Sequence, residues 1–136
     1  RVVGLATIAA APDFTVDGME REFTAAQHEE MATTGRIELP SEYSDAPYVI
    51  TRRLIEDGRD HLLLRAPLVL PMPIRMMQGT ADADVPMARA LLLLAHIESP
   101  DLRLDLVKGA DHRFSEPREL DILARALDEL TAAIGS

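Results

Sequence analysis

The stretch Gly79-Thr80-Ala81-Asp82-Ala83-Asp84-Val85-Pro86 decides the fold, and Gly109-Ala110-Asp111-His112, some thirty residues on, completes its meaning. In the pattern Gly-x-x-Asp-x-x-Val-Pro, glycine closes a strand, the aspartate leaves it into a turn, and valine and proline open a helix. Proline suits that first turn because its missing N–H would have no helical partner anyway. Just before it, Pro73 to Gln78 reads as a short apolar strand. Beyond the helix, predicted over Pro86 to Glu98, Leu102-Arg103-Leu104-Asp105-Leu106-Val107-Lys108 alternates apolar and polar residues. That alternation fits a strand nearer a sheet edge, with one wetter face. Strand, helix, strand in this order predicts a parallel pair joined by a right-handed crossover, with both post-strand loops on one edge of the sheet.

A last helix is predicted over Glu116 to Ile134, with Leu120, Leu123, Ala124, Leu127 and Leu130 on its apolar face and Gly135 as its stop. At the other end, Val2 to Ala11 is nearly all apolar, the pattern of a strand buried on both faces of a parallel sheet. Ala11-Pro12-Asp13 ends it. With nothing on its outer side this strand would be an exposed edge, which natural proteins avoid, so further strands are expected upstream.

Residues 14–70 break the rhythm. Thr24-Ala25-Ala26-Gln27 is a capping-box start for a polar helix running to about Thr33 and ended by Gly35. Leu39 to Pro47 is an irregular loop bearing Tyr43, and Pro47 to Asp57 is a second helix candidate with Gly58 at its stop. An excursion of this length between sheet strands is usually functional. It is expected to form a lid above the C-terminal strand ends, where open α/β sheets bind ligands. The expected organisation is thus a core strand and loop over 1–13, a lid insertion over 14–70, and a strand-helix-strand-helix segment over 71–136.

Composition narrows the function classes. The chain has 136 residues, 47% of them hydrophobic, which fits one ordinary globular domain. A formal net charge of −9 with scattered Lys and Arg argues against nucleic acid and against an anionic membrane surface. Leu91 to Ala95, a dense apolar run, is far short of the roughly 20 residues a membrane span needs. No cysteine is present, so there is neither a disulfide framework nor thiolate chemistry, which suits a reducing, cytoplasmic setting.

Asp82 and His112 carry the chemistry. A carboxylate beside an imidazole accepts Nδ1–H, fixes the tautomer and stabilises the imidazolium, leaving Nε2 to take a hydroxyl proton. Asp84 fits helix-terminus duty instead, placing a negative charge near the start of the following helix. Asp111 fits a loop anchor, with Arg113 as its ion-pair partner. Asp followed by His is also the order in which these two groups follow a nucleophilic serine in one large hydrolase class. That serine would sit in Gly-x-Ser-x-Gly, and none of Ser41, Ser44, Ser99, Ser115 and Ser136 does. His28, His61 and His96 show no paired spacing, so no metal site is expected, and no glycine-rich phosphate loop supports a nucleotide cofactor. Tyr43 and Tyr48 are candidates to line an acyl pocket or to pin the lid loop.

These motifs resemble the C-terminal half of an α/β-hydrolase, in the branch of bacterial α/β-fold hydrolases and the mitochondrial palmitoyl-protein thioesterase that also cleaves acyl glucuronides. The resemblance is most specific at Ala9-Ala10-Ala11-Pro12-Asp13-Phe14, Glu38-Leu39-Pro40-Ser41-Glu42-Tyr43, His61-Leu62-Leu63-Leu64, Gly79 to Pro86 and Asp111-His112-Arg113. It implies that Asp82 is the triad acid and His112 the triad base. It implies too that the serine and both oxyanion-hole N–H groups belong to a missing N-terminal half. The expected activity is cleavage of small carboxylic esters or thioesters through an acyl-enzyme, without a cofactor. A different upstream nucleophile on the same fold, or a non-catalytic binding role, are the alternatives.

Overall fold

In the computed structural model, which describes residues 1–41 and 45–135, the chain divides into two compact units. One comprises Arg1–Ala11 together with the chain from Ala66 onward, the other Pro12–Arg65.

The first unit is built on a three-stranded parallel sheet. Its strands are β1 (Leu5–Ile8), β5 (Ile74–Gly79) and β7 (Leu102–Val107), in the order β1-β5-β7. Leu5 pairs with Ile74, and Ile74 with Leu102, so the strands run in step. All six residues of β5 are buried, as befits the central strand, whereas β7 mixes buried and exposed positions at the edge. Helix α3 (Met87–His96) crosses from β5 to β7, and α4 (Pro117–Ile134) packs back on β1 and β5. Met77, Val107, Ala110, Phe114 and Ala126 form the core between sheet and α4, with Ile122 and Leu123 against it.

Three sequence expectations change here. Strand β1 lies at a sheet edge, as expected for this chain, but covers only Leu5–Ile8 and is half-buried, while Val2 and Val3 are exposed. The expected burial on both faces needs a neighbour on the outer side, and no described strand supplies one. Helix α3 stops at His96, because Ile97–Glu98 turns extended as β6 and pairs in parallel with Leu68–Val69, β4. On α4 the buried side is Glu119, Ala126 and Leu130, flanked by Ile122 and Leu123, whereas Leu120 and Leu127 stay 49% and 45% exposed. The helix therefore carries apolar residues on two sides and presents only one of them to this sheet.

In the second unit, α1 (Ala25–Thr34) begins at the expected capping box. The Gln27 N–H donates to the Thr24 hydroxyl, and Gln27 Oε1 accepts the Thr24 N–H. It ends at Gly35, whose φ of 77° is the left-handed cap that glycine adopts without a Cβ penalty. The helix expected over Pro47 to Asp57 is instead strand β3 (Tyr48–Thr51) followed by α2 (Arg52–Arg59). Tyr-Val-Ile-Thr are strand formers, and they pair antiparallel with β2 (Arg36–Leu39). Thr51 caps α2 by accepting the Leu54 N–H, and Gly58 lies inside the helix rather than at its stop. A π-helical segment, Phe14–Glu20, packs on α2. Buried Asp13 accepts the N–H groups of Leu63 and Leu64 and pairs with Arg65, so the two ends of the unit are tied by one carboxylate. Met31, Ile37, Ile50 and Ile55 form its core.

Candidate active site

Two loops leave the C-terminal ends of β5 and β7 and are laced together by backbone groups. The Thr80 N–H donates to the Val107 carbonyl and the Ala81 N–H to the Ala110 carbonyl, both at 3.0 Å. The Gly109 N–H donates to the Thr80 hydroxyl at 2.9 Å. Gly109 takes a φ of 79°, a left-handed turn that releases the chain sharply from β7.

The base loop has its own anchor. Asp111 Oδ1 accepts the N–H groups of Arg113 and Phe114, at 3.0 and 3.2 Å. The turn puts Phe114 at a φ of 51° and drives its ring into the core, 1% exposed. Asp111 is thus the expected loop anchor, acting through the backbone of Arg113 and Phe114. His112 is held between this anchor and the Ala81–Ala110 contact.

Asp82 arrives from the other loop. Its Oδ1 accepts the N–H groups of Asp84 and Val85, at 2.9 and 2.8 Å. Its Oδ2 lies 3.0 Å from His112 Nδ1 and accepts the Gln78 amide at 3.1 Å. The Asp82 side chain is fully buried and that of His112 is 40% exposed. Burial pushes the Asp82 carboxyl up, but the Val85 N–H, the His112 ring and the Asp84 N–H outweigh it and hold the carboxyl below its ordinary value. An ionised carboxylate only accepts, so Nδ1 carries the proton in this contact. Among the described residues Nε2 has no hydrogen-bond partner and is left to the solvent side, the arrangement in which an imidazole takes a proton from a hydroxyl.

The structure brings Asp82 and His112 together. Helix α3 begins at Met87 after Pro86, and Asp84 stands two residues before that proline, ahead of the helix start as expected. One of the Asp84 carboxylate oxygens falls within 4.8 Å of ligand atoms on Asp82 and His112. These three are the group with metal-compatible spacing among the described residues, but both Asp82 oxygens are already committed to N–H donors. Tyr48 lies on β3 in the other unit, half exposed. Tyr43 lies outside the described residues. Of the remaining histidines, His96 Nε2 meets the Ala66 carbonyl and His28 sits edge-on to Phe23. Gln78 is the site residue that sequence reasoning missed: an amide inside an apolar strand gives no periodic signal, and only its position four residues before Asp82 hinted at it.

No family model matches the chain. It is 32% identical over 134 residues to the mitochondrial palmitoyl-protein thioesterase ABHD10 of Mus musculus and 30% identical over 131 residues to that of Rattus norvegicus. Each match covers 96% of this chain and 44% of the relative. Among solved structures it matches a protein of Agrobacterium vitis S4 that carries a provisional hydrolase name, with 38% identity and a TM-score of 0.91 over 96% of this chain and 50% of that one. The α/β hydrolase domain-containing protein 10 from mouse matches with 29% identity and a TM-score of 0.83, over 96% and 52%. The chain therefore spans about half the length of the relatives it matches, and its fold is the C-terminal portion of an α/β-hydrolase.

Proposed function

We propose that the protein is a serine hydrolase that cleaves carboxylic esters or thioesters through an acyl-enzyme, with His112 as general base, Asp82 as its orienting carboxylate, and the serine and oxyanion donors supplied by residues outside this chain. The 3.0 Å contact between Asp82 Oδ2 and His112 Nδ1, at the ends of adjacent parallel strands, is the observation that carries the reading. It leaves Nε2 free to accept the serine proton and return it to the leaving alkoxide or thiolate. The names of the similar proteins, a thioesterase and an α/β hydrolase, agree with acyl transfer to water. The substrate is a small acyl ester or thioester, and no metal, nucleotide, nucleic acid or membrane takes part.

No helix among the described residues is long and apolar enough to cross a membrane. A cytoplasmic site of action is proposed from the cysteine-free composition, although the matched mammalian relatives are named mitochondrial.

The test is to treat the full-length protein with a fluorophosphonate that labels activated serines, and to assay p-nitrophenyl esters and an S-acyl thioester of matched chain length. Labelling of one serine, with hydrolysis lost in parallel, is expected. Absence of both, in folded protein, removes the hydrolase reading.

A further inference from the structure

Gln78 is the next-to-last residue of β5, the central strand of the sheet, and has no exposed surface. Its Nε2 faces three acceptors: the Gly79 carbonyl at 3.1 Å, the Val85 carbonyl at 3.0 Å and Asp82 Oδ2 at 3.1 Å. Three acceptors around one end of the amide decide its orientation, because Oε1 in that place would meet only other oxygens. Oε1 is accordingly buried without a partner. An apolar side chain of the same length would spare that cost, so the value of an amide here lies in what its N–H groups hold. Two of the acceptors are backbone carbonyls on either side of the acid turn. The third is the oxygen that meets His112.

We propose that Gln78 is a positioning residue for the Asp82–His112 pair, fixing Asp82 Oδ2 against the imidazole through a donor anchored in the central strand. The inference deepens the hydrolase reading and rests on it for its functional consequence. Asp82 Oδ1 is fixed by the N–H groups of Asp84 and Val85, both part of the same turn as Asp82 itself. Those two donors alone leave the carboxylate free to swing with its turn. Gln78 ties the second oxygen to the sheet, so both oxygens, and hence the carboxylate plane, are set relative to β5 rather than to the loop. His112 is tied to the same sheet through the Ala81–Ala110 contact and the Asp111 anchor. The groups facing the imidazole are then Asp82 and Asp84 from the acid loop, with Asp111 and Arg113 adjoining it in the chain. Of the two acidic side chains on the acid loop, Asp82 is the one Gln78 touches.

The experiment labels histidine nitrogens with 15N in the full-length protein and reads the His112 tautomer and the exchange of its Nδ1 proton, alongside steady-state hydrolysis of a p-nitrophenyl ester. The variants are Gln78→Met, of similar length with no N–H, and Gln78→Asn, an amide too short to reach Asp82. In either, the expected result is a mixed His112 tautomer and Nδ1 proton exchange faster by about tenfold or more. Hydrolysis should lose roughly 10- to 100-fold in kcat at little-changed KM, the scale of a misplaced catalytic group. A folded variant with wild-type His112 spectra overturns the inference, as does failure of both variants to fold, which would assign the amide to the strand alone. If the wild-type protein neither labels with fluorophosphonate nor hydrolyses ester, the hydrolase reading fails instead, while the spectra still report whether Gln78 holds the pair.

Discussion

Gly79 and Ala110 meet backbone to backbone: a Cβ placed on Gly79 would lie 2.2 Å from the Ala110 carbonyl oxygen and 2.9 Å from that of Asp111. The strand bearing the acid and the loop bearing the base are therefore in register only because position 79 has no side chain. Both carbonyls are backbone, so neither can swing aside as a flexible side chain would.

Gly79→Ala is expected to force the two loops apart. Overpacking of this kind costs on the order of 1–3 kcal/mol, read as a lower midpoint in urea unfolding. The more telling effect is on the site. A shift near 1 Å between Asp82 and His112 is expected to reduce ester hydrolysis about 100-fold. A variant with full activity would show that the dyad tolerates looser loops than the geometry implies.

His112→Ala should abolish nearly all hydrolysis by the full-length protein, since in the proposed mechanism His112 is the group that takes the serine proton. Asp82→Asn should lose several orders of magnitude with the fold intact. The corresponding change in a serine protease triad costs about 10⁴-fold, because the amide favours the wrong tautomer. Fluorophosphonate labelling rates provide an independent measure of both. Near-wild-type turnover in either variant, at unchanged protein level, would remove the assigned roles.

The depressed Asp82 carboxyl also makes a statement about stability. A carboxyl held lower in the folded state than unfolded stabilises the fold at pH above its unfolded value, near 3.9. That contribution is lost as pH falls through the lower folded value, so the window lies below about pH 4. Urea unfolding at a series of pH values from 2 to 6 is expected to show an acid-side fall that is shallower in Asp82→Asn. Equal slopes would mean that other carboxylates carry the acid sensitivity.

How much of this the residues announced in advance differs from place to place. The two strand-end loops were legible because glycine, aspartate, proline and histidine each impose a local geometry. The hairpin β2–β3 was not, because Tyr48-Val49-Ile50-Thr51 is short and runs directly into α2, so its period of two is swamped by the helix after it. On α4 the expected apolar face was right at Leu123 and Leu130 but not at Leu120 and Leu127, which stay exposed. Glu119 is buried at 4% exposure because its Oε2 accepts the Glu116 N–H at the helix start, and apolar periodicity does not register a buried acid. Gly79 could be read as a turn, but its close approach to Ala110 belongs to tertiary structure.

Gly58 gives a second glycine test in the other unit. A Cβ there would lie 2.1 Å from the Thr15 hydroxyl oxygen and 2.7 Å from the Thr15 Cβ. Alanine is the better helix former by about 1 kcal/mol, so in an open helix Gly58→Ala would stabilise. Here it is expected to destabilise, by about 1–3 kcal/mol, because α2 must move off the π-helical segment. Adding Thr15→Ala removes the nearest atom and should recover part of the loss. Additive effects of the two changes in thermal unfolding would rule out this contact as the cause.

The final expectation concerns residues 1–136 expressed alone, and follows from the proposed supply of serine and oxyanion donors by other residues. Without them His112 has no hydroxyl to activate and no developing oxyanion is stabilised, so ester hydrolysis should be at background. Packing points the same way. Strand β1 has β5 on one side and no described strand on the other, and unpaired strand edges recruit further strands. Leu120, Leu127 and Ile134 add an exposed apolar line at seven-residue spacing along α4, and contiguous apolar patches mark surfaces that associate. The 136-residue polypeptide should therefore self-associate, measurable by sedimentation. Mixing it with a separately made N-terminal segment carrying the nucleophile should restore hydrolysis and reduce self-association together. An active, monodisperse 136-residue monomer would contradict the chemical and the packing argument at once.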